Sequence, residues 1–325
     1  MISRRTLVAL AAASLAGAAV AQPQWPAGRP ITIIVPFSAG GSVDASARLL
    51  ATRLGERLKQ SVVVENVAGA GGAIGVAKAA ASAPDGYTLV MGADSPIAIA
   101  RLVNPAAVKY DAMKDLAPVG LVNTAPMVLV AHPSLPAKNL SELVALARKQ
   151  PGKLSYATSG IGTLPHLATE MLKQAGQVHM VHIPYRGGSQ IANDVAGNQV
   201  DLAMLIAASA LPFVQSKALK PIAVTGAHRL ALFPDVPAAA ETPGFKGYEV
   251  VSWAGIYAPA NTPPGVVARM AREVDEVMKM PDVRRSLAQA GALPGGGTSA
   301  DFARFIEQDR ARFTQAIQAG ISLRE

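Results

Sequence analysis

Apolar, β-rich runs alternate with stretches of helical periodicity along most of this chain, and that alternation restricts it to an α/β architecture. Ile31 to Val35 reads as a buried strand stopped by Pro36. Val43, Ala47, Leu50, Leu54 and Leu58 then recur at helical spacing, giving one apolar face. Val62 to Val64 is a second strand, Gly72 to Ser82 an Ala-rich helix, and Tyr87 to Met91 a third strand after the turn Pro84-Asp85-Gly86. The connection rules make this a parallel βαβαβ unit.

A second set follows. Strands are predicted at Met127–Ala131, Leu154–Ala157, His179–Ile183, Val200–Leu205 and Pro221–Thr225, with helices from Asn139 or Ser141 through Lys149 and at 164–174. The last third carries a strand at Val251–Tyr257, a helix at Val266–Lys279 and an amphipathic helix with Phe302, Phe305, Ile306 and Phe313. A first domain interrupted by a second is expected, at 22–123 plus 226–325 and at 124–225, with two crossings between them. Roughly 300 residues outgrow a single core, which also favours two domains.

The first 21 residues read as a secretory signal peptide: Arg4 and Arg5, an apolar run from Leu7 to Val20, and a small-x-small site at Ala19-Val20-Ala21. The apolar part is shorter than the ~20 residues that span a bilayer. Export to the periplasm with cleavage near Ala21 is expected, and the Arg pair leaves both the general and the twin-arginine routes open. The net charge of +8 becomes +6 without Arg4 and Arg5, a balance that favours anionic partners. The basic residues are scattered, without the runs or aromatic platforms of a nucleic-acid binder, so no nucleic-acid partner is expected. The absence of cysteine excludes disulfides, thiolate metal sites and a Cys nucleophile.

In open parallel sheets ligands bind beyond the carboxyl ends of strands, where loops enter helices. Two loops suit an anion. In Pro36-Phe37-Ser38-Ala39-Gly40-Gly41-Ser42 small residues expose backbone N–H groups at a helix start, and Asp44 lies in the first helical turn. Ser159-Gly160-Ile161-Gly162-Thr163 repeats that chemistry in the second set, with His166 one turn further on.

Gly69-Ala70-Gly71-Gly72-Ala73-Ile74-Gly75, with Asp94 after the next strand, resembles a dinucleotide fingerprint. Its spacing is looser, and export argues against a nicotinamide cofactor. No Gly-x-Ser-x-Gly elbow occurs, and His179 and His182 would face apart on a strand. No catalytic constellation, metal or cofactor is expected.

The ordered motifs resemble the Bug-type extracytoplasmic solute receptors of tripartite tricarboxylate transporters. They include Pro30-Ile31-Thr32-Ile33-Ile34-Val35-Pro36-Phe37, Val63-Val64-Glu65-Asn66, Gly69-Ala70-Gly71-Gly72, Pro84-Asp85-Gly86-Tyr87 and Pro151-Gly152-Lys153-Leu154. Gly160-Ile161-Gly162-Thr163, Pro184-Tyr185-Arg186-Gly187 and Pro234-Asp235-Val236-Pro237 continue the series. The resemblance implies a type II periplasmic-binding-protein-like α/β fold, with two lobes, two crossovers and a ligand cleft between them. It implies a monomer that binds a small carboxylate (a di- or tricarboxylate, an amino acid or an aromatic acid) and delivers it to membrane subunits. Delivery to a sensor kinase and an exported enzyme using the same cleft are the alternatives. Carried over residue by residue, the ligand contacts are Phe37, Ser38, Ala39 and Gly40 on one lobe and Ser159, Gly160, Thr163 and His166 on the other. Ala93-Asp94-Ser95 adds Asp94 and Ser95. Asp94 departs from the family's small residues, and either faces the pocket or caps the next helix. Met204 to Ser209 is more apolar than the family's usual polar run, which suits an apolar or aromatic acid.

Overall fold

The computed structural model describes residues 25–185, 188–321 and 323. The expected signal segment and the Arg186-Gly187 part of one motif lie outside them. The first unit forms as its periodicity requires: β1 (Ile31–Val35), α1 (Ser42–Leu58), β2 (Val62–Asn66), α2 (Ala73–Ala80) and β3 (Thr88–Ala93). β1 lies between β2 and β3 and is parallel to both. In α1 the stripe Ala47, Leu50, Leu54 and Leu58 is buried, and each fully buried leucine contributes roughly 1.5–3 kcal/mol.

β4 (Leu116–Ala131) spans 16 residues and belongs to both halves. Its first part pairs with β9 (Val251–Pro259) and β10 (Leu293–Gly296), and its second part with β7 (Leu202–Ile206) and β8 (Lys220–Val224). β5 (Ser155–Thr158) and β6 (Val181–Pro184) extend the second half in parallel with β7. The strand order is β2-β1-β3-β9-β4-β7-β5-β6, so the two expected sheets are one continuous ladder through β4. The remaining helices are α3 (Leu140–Lys149), α4 (Leu164–Gly176), α5 (Gly188–Ala196), α6 (Ala207–Gln215), α7 (Pro264–Lys279), α8 (Pro281–Gln289) and α9 (Ser299–Gln318).

Three cores result. One lies beneath α1, α7 and α8 in the first half, and another beneath α5 and α6 in the second. The third runs along the opposite face through both halves, from α2 and α9 to α3 and α4. That shared core backs the molecule and leaves the α1/α8 side and the α6 side facing one another.

The chain crosses between halves within β4 and again between β8 and β9, and Thr225 fastens the two crossings together. Its backbone N–H donates to Met127 O at 2.9 Å, and its carbonyl accepts from Val250 N–H at 2.9 Å. Its hydroxyl accepts from Met127 N–H at 3.0 Å and donates to Val250 O at 2.5 Å. Thr225→Val keeps the shape but strands a buried donor and a buried acceptor. The expected loss is about 1–3 kcal/mol in chemical denaturation.

Candidate ligand-binding site

Beyond β1 the chain must leave the sheet and enter α1 within six residues. Gly40 makes the turn at φ +85°, where a side chain would be strained. Asp44, almost fully buried, holds the loop from beneath: it accepts from Gly40 N–H at 2.9 Å, Arg48 Nε at 2.9 Å and Asn66 Nδ2 at 2.8 Å. Asn66, at the end of β2, also donates to Phe37 O at 3.1 Å. Burial alone would raise the Asp44 pKa, but the bonds from Arg48, Gly40 and Asn66 outweigh it and hold the carboxyl below its usual range. No side chain caps α1 at Gly41, so the positive end of the helix opens outward.

That end lies on the rim of a cavity of about 440 Å³. Gly40, Gly41, Ser42 and Leu49 form one wall, and Ile206, Ala208 and Ser209 at the start of α6 form the other. α6 likewise has no side-chain cap. Asn123 and Ala125 of β4 with Ser252, Trp253 and Ala254 of β9 make the floor, and Ser286 to Ala292 close one side. Among the described residues none that lines it is Asp, Glu, Lys, Arg or His. The floor's polar groups are partly paired: Asn123 Nδ2 donates to Ser46 Oγ at 2.7 Å, and Ser252 Oγ donates to Asp94 at 2.6 Å.

Asp94 sits behind this floor, 3 % exposed. It accepts from Ser252 Oγ, Trp253 N–H and Ser95 Oγ, and makes no side-chain cap to the turn it opens. The capping role weighed for it is therefore not realised. Its carboxylate ties β3 to the start of β9, and burial pushes its pKa up against those three bonds. Ser95 in turn accepts from Leu164 N–H at 3.2 Å, linking the first half to the N-terminus of α4. Trp253 is fixed at its other end by an Nε1 bond to Asp309 at 2.7 Å.

The second Gly-rich loop is a self-contained turn. Thr163 Oγ1 donates to Gly160 O at 2.7 Å, and Gly160 and Gly162 take φ +124° and +71°. Ser159 is exposed at its tip. His166 turns back beneath this loop: Nδ1 accepts from Gly162 N–H at 3.2 Å, and the ring stacks on His182 at 3.9 Å between centroids. Both histidines line a separate open groove of about 870 Å³ along α4 and the edge strand β6, with Glu170 and Lys173. His179 precedes β6 rather than lying on it. Among the described residues no group of three or more metal-ligating side chains converges.

Burial, reinforced by charge from His182 and Lys173, pushes the His166 pKa down to about 3. Burial also pushes His182 down to about 4, against the pull of Glu170. The unfolded imidazoles bind protons below about 6.5 and the folded ones do not, so stability falls as pH drops from 6.5 toward 4. A melting temperature lower by roughly 5 °C or more at pH 4.5 than at pH 7 is the expected result, and His182→Gln is expected to flatten that slope.

Of the ten residues singled out from sequence, Gly40 lines the 440 Å³ cavity. Phe37 packs towards Gly72, Ser38 and Ala39 are exposed beside Gly40, and Asp94 and Ser95 support the floor from behind. Ser159, Gly160 and Thr163 form the neighbouring turn, and His166 faces the other groove. Asn123 and Ser252 were not anticipated as lining, whereas Ile206 and Ser209 belong to the 204–209 run singled out from sequence. The apolar 204–209 run was the one signal that pointed to that wall.

Two facing α/β halves with a cavity at their junction make the fold that of the periplasmic solute-binding proteins. An R. palustris protein solved with adipate superposes with a TM-score of 0.85 at 34% identity, covering 92% of this chain and 99% of that one. MatC from Rhodopseudomonas palustris with bound malate gives 0.79 at 28%, covering 89% and 99%. Protein BugT of Bordetella pertussis is 34% identical over 317 residues, 96% of each chain. The chain belongs to the tripartite tricarboxylate transporter family receptors, whose model matches residues 46–321.

Proposed function

We propose that this protein is an extracytoplasmic receptor that holds a small carboxylate between its halves and presents it to membrane subunits of a tripartite transporter. The observation that carries the reading is the 440 Å³ cavity where uncapped N-termini of α1 and α6, one from each half, face one another. Helix N-termini offer free N–H groups and positive potential to an anion without any charged side chain. The adipate and malate found in related structures support the same ligand class.

In this reading 22–123 with 226–325 is one lobe and 124–225 the other, and closure pivots on the crossings near Thr225. Phe37 to Gly40 and Ser159 to Thr163 are the jaws brought together on closing. The mature chain acts in the periplasm as a monomer after removal of residues 1–21. It binds without chemistry, so a bound acid is recovered unchanged. Among the described residues no helix is long and apolar enough to cross a membrane. The test is calorimetry on mature protein, refolded to strip bound ligand, against mono-, di- and tricarboxylates and amino acids. Saturable binding of one acid at micromolar Kd or tighter is expected. Failure of every acid to bind would remove the reading.

A further inference from the structure

Helix α4 begins without a cap from its own segment of chain. Thr163 stands at the N-cap position, where a hydroxyl ordinarily accepts from the first-turn N–H groups. It donates instead to Gly160 O at 2.7 Å and makes no cap bond. The Leu164 N–H is served from the other half, by Ser95 Oγ at 3.2 Å. Ser95 can accept there because its own hydrogen goes to Asp94 Oδ1 at 2.7 Å. The second oxygen of Asp94 accepts from Ser252 Oγ at 2.6 Å and from Trp253 N–H at 3.1 Å, both on the cavity floor. An apolar contact lies beside this link. A Cβ on Gly162 would stand 3.2 Å from Val103 Cγ1, so the loop before α4 rests on the first half.

The place of the link decides what it does. The two crossings, at Met127 and Val250, lie side by side on Thr225 and by themselves leave a hinge free to turn. β3 is the next strand beyond β9, so the link that follows it stands to one side of that hinge. A contact beside a hinge limits the angle through which it turns. At the far end of α4, Gln174 Nε2 donates to Ala319 O at 2.9 Å in an exposed contact, where water competes. Leu164 is fully buried, so its N–H depends on Ser95.

We infer, on the two-lobe reading above, that Ser95 is a positioning residue: anchored by Asp94, it caps α4 across the junction and holds the second half at a set angle to the cavity floor. Ser95 acts through α4 and the Gly-rich loop ahead of it, without touching the ligand.

The chain has no cysteine, so cysteines introduced at the exposed residues Lys59 and Lys149, one in each half, take spin labels without competition. Pulsed electron-resonance distances are then measured on protein refolded without ligand. With Ser95 in place, one narrow distribution is expected. Ser95→Ala is expected to widen it roughly two-fold or more, and Ser95→Thr, which keeps the hydroxyl, to restore it. Gln174→Ala, which removes only the exposed bond at the other end of α4, is expected to leave the width unchanged. The melting temperature of each variant checks that it is folded. A broad distribution with Ser95 in place overturns the inference, as do equal widths in Ser95→Ala and its parent. Broadening that Ser95→Thr does not reverse, or that Gln174→Ala matches, overturns it too. All of these outcomes are read without ligand, so they stand apart from the calorimetric test of the carboxylate reading.

Discussion

Asp44→Ala is expected to destabilise the protein by about 2–4 kcal/mol and to weaken ligand binding at least ten-fold. The carboxylate is 3 % exposed and gathers three donors: Gly40 N–H, Arg48 Nε and Asn66 Nδ2. Removing it strands the Gly40 and Asn66 donors in a partly buried site, at about 1–3 kcal/mol each before relaxation. The Arg48 pairing contributes little, because that side chain is 52% exposed and solvent screens it. Affinity falls because the same bonds fix the curvature of 37–41 and the direction of the first α1 N–H groups. A pH signature accompanies this. The folded pKa lies below the ordinary 3.8, so the stabilisation is complete above about 3.8 and is lost as pH falls through the folded value. Denaturation curves of wild type and Asp44→Ala should therefore differ at pH 7 and converge toward pH 2. A constant gap across that range would contradict the assignment.

Gly75→Val is expected to cost about 3 kcal/mol or more and to lower the yield of folded protein. A Cβ at Gly75 would lie 2.6 Å from Val67 O, 2.7 Å from Pro36 Cα and 2.9 Å from Pro36 Cβ. Two of those atoms are backbone, so the clash moves α2 away from β1 rather than rotating a side chain. Overpacking of that kind typically costs about 1–3 kcal/mol, and more where the backbone must yield. Pro36 opens the ligand loop, so the displacement is transmitted to Phe37 and beyond. A control at Gly71, where a Cβ meets nothing within 4 Å but φ is +63°, separates the two causes: Gly71→Ala should cost only about 1 kcal/mol of backbone strain.

This packing also accounts for the resemblance of 69–75 to a dinucleotide fingerprint. Gly72 lets Phe37 and Pro96 approach, and Gly75 lets α2 lie on Pro36. These glycines seat α2 against the two loops at the carboxyl ends of β1 and β3. Close helix–sheet packing is one of the uses of glycine in a true fingerprint, which is why the spacing looked similar.

The elements legible in the sequence were those with a clean period. α1 and α9 each bury one stripe, and β1 and β9 are largely apolar runs, broken only by Thr32 in β1 and by Ser252 and Gly255 in β9. The first half of β4 escaped because Pro118 and Gly120 interrupt it. Its pairing with β9 shifts register between Pro118 and Gly120 and again between Leu121 and Asn123, so no alternation survives. α6 escaped because it lacks a polar face and contains Pro212. At the site, the Gly-rich loops were legible as loops. The partners of Asp94 were not: Ser252 and Trp253 lie 158 and 159 residues away, and only the antiparallel β3–β9 pairing brings them together. The His166–His182 stack is likewise a product of β5–β6 adjacency and α4 packing, which no local pattern encodes.

Trp253 offers the most direct test of where the ligand sits. The chain has two tryptophans, and Trp253 alone lines the cavity floor. In a Trp25→Phe background, Trp253 fluorescence should change saturably on titration with a bound acid, giving the Kd that calorimetry gives on the same sample. A calorimetric Kd with no change in Trp253 emission at saturation would place the acid elsewhere and contradict the site.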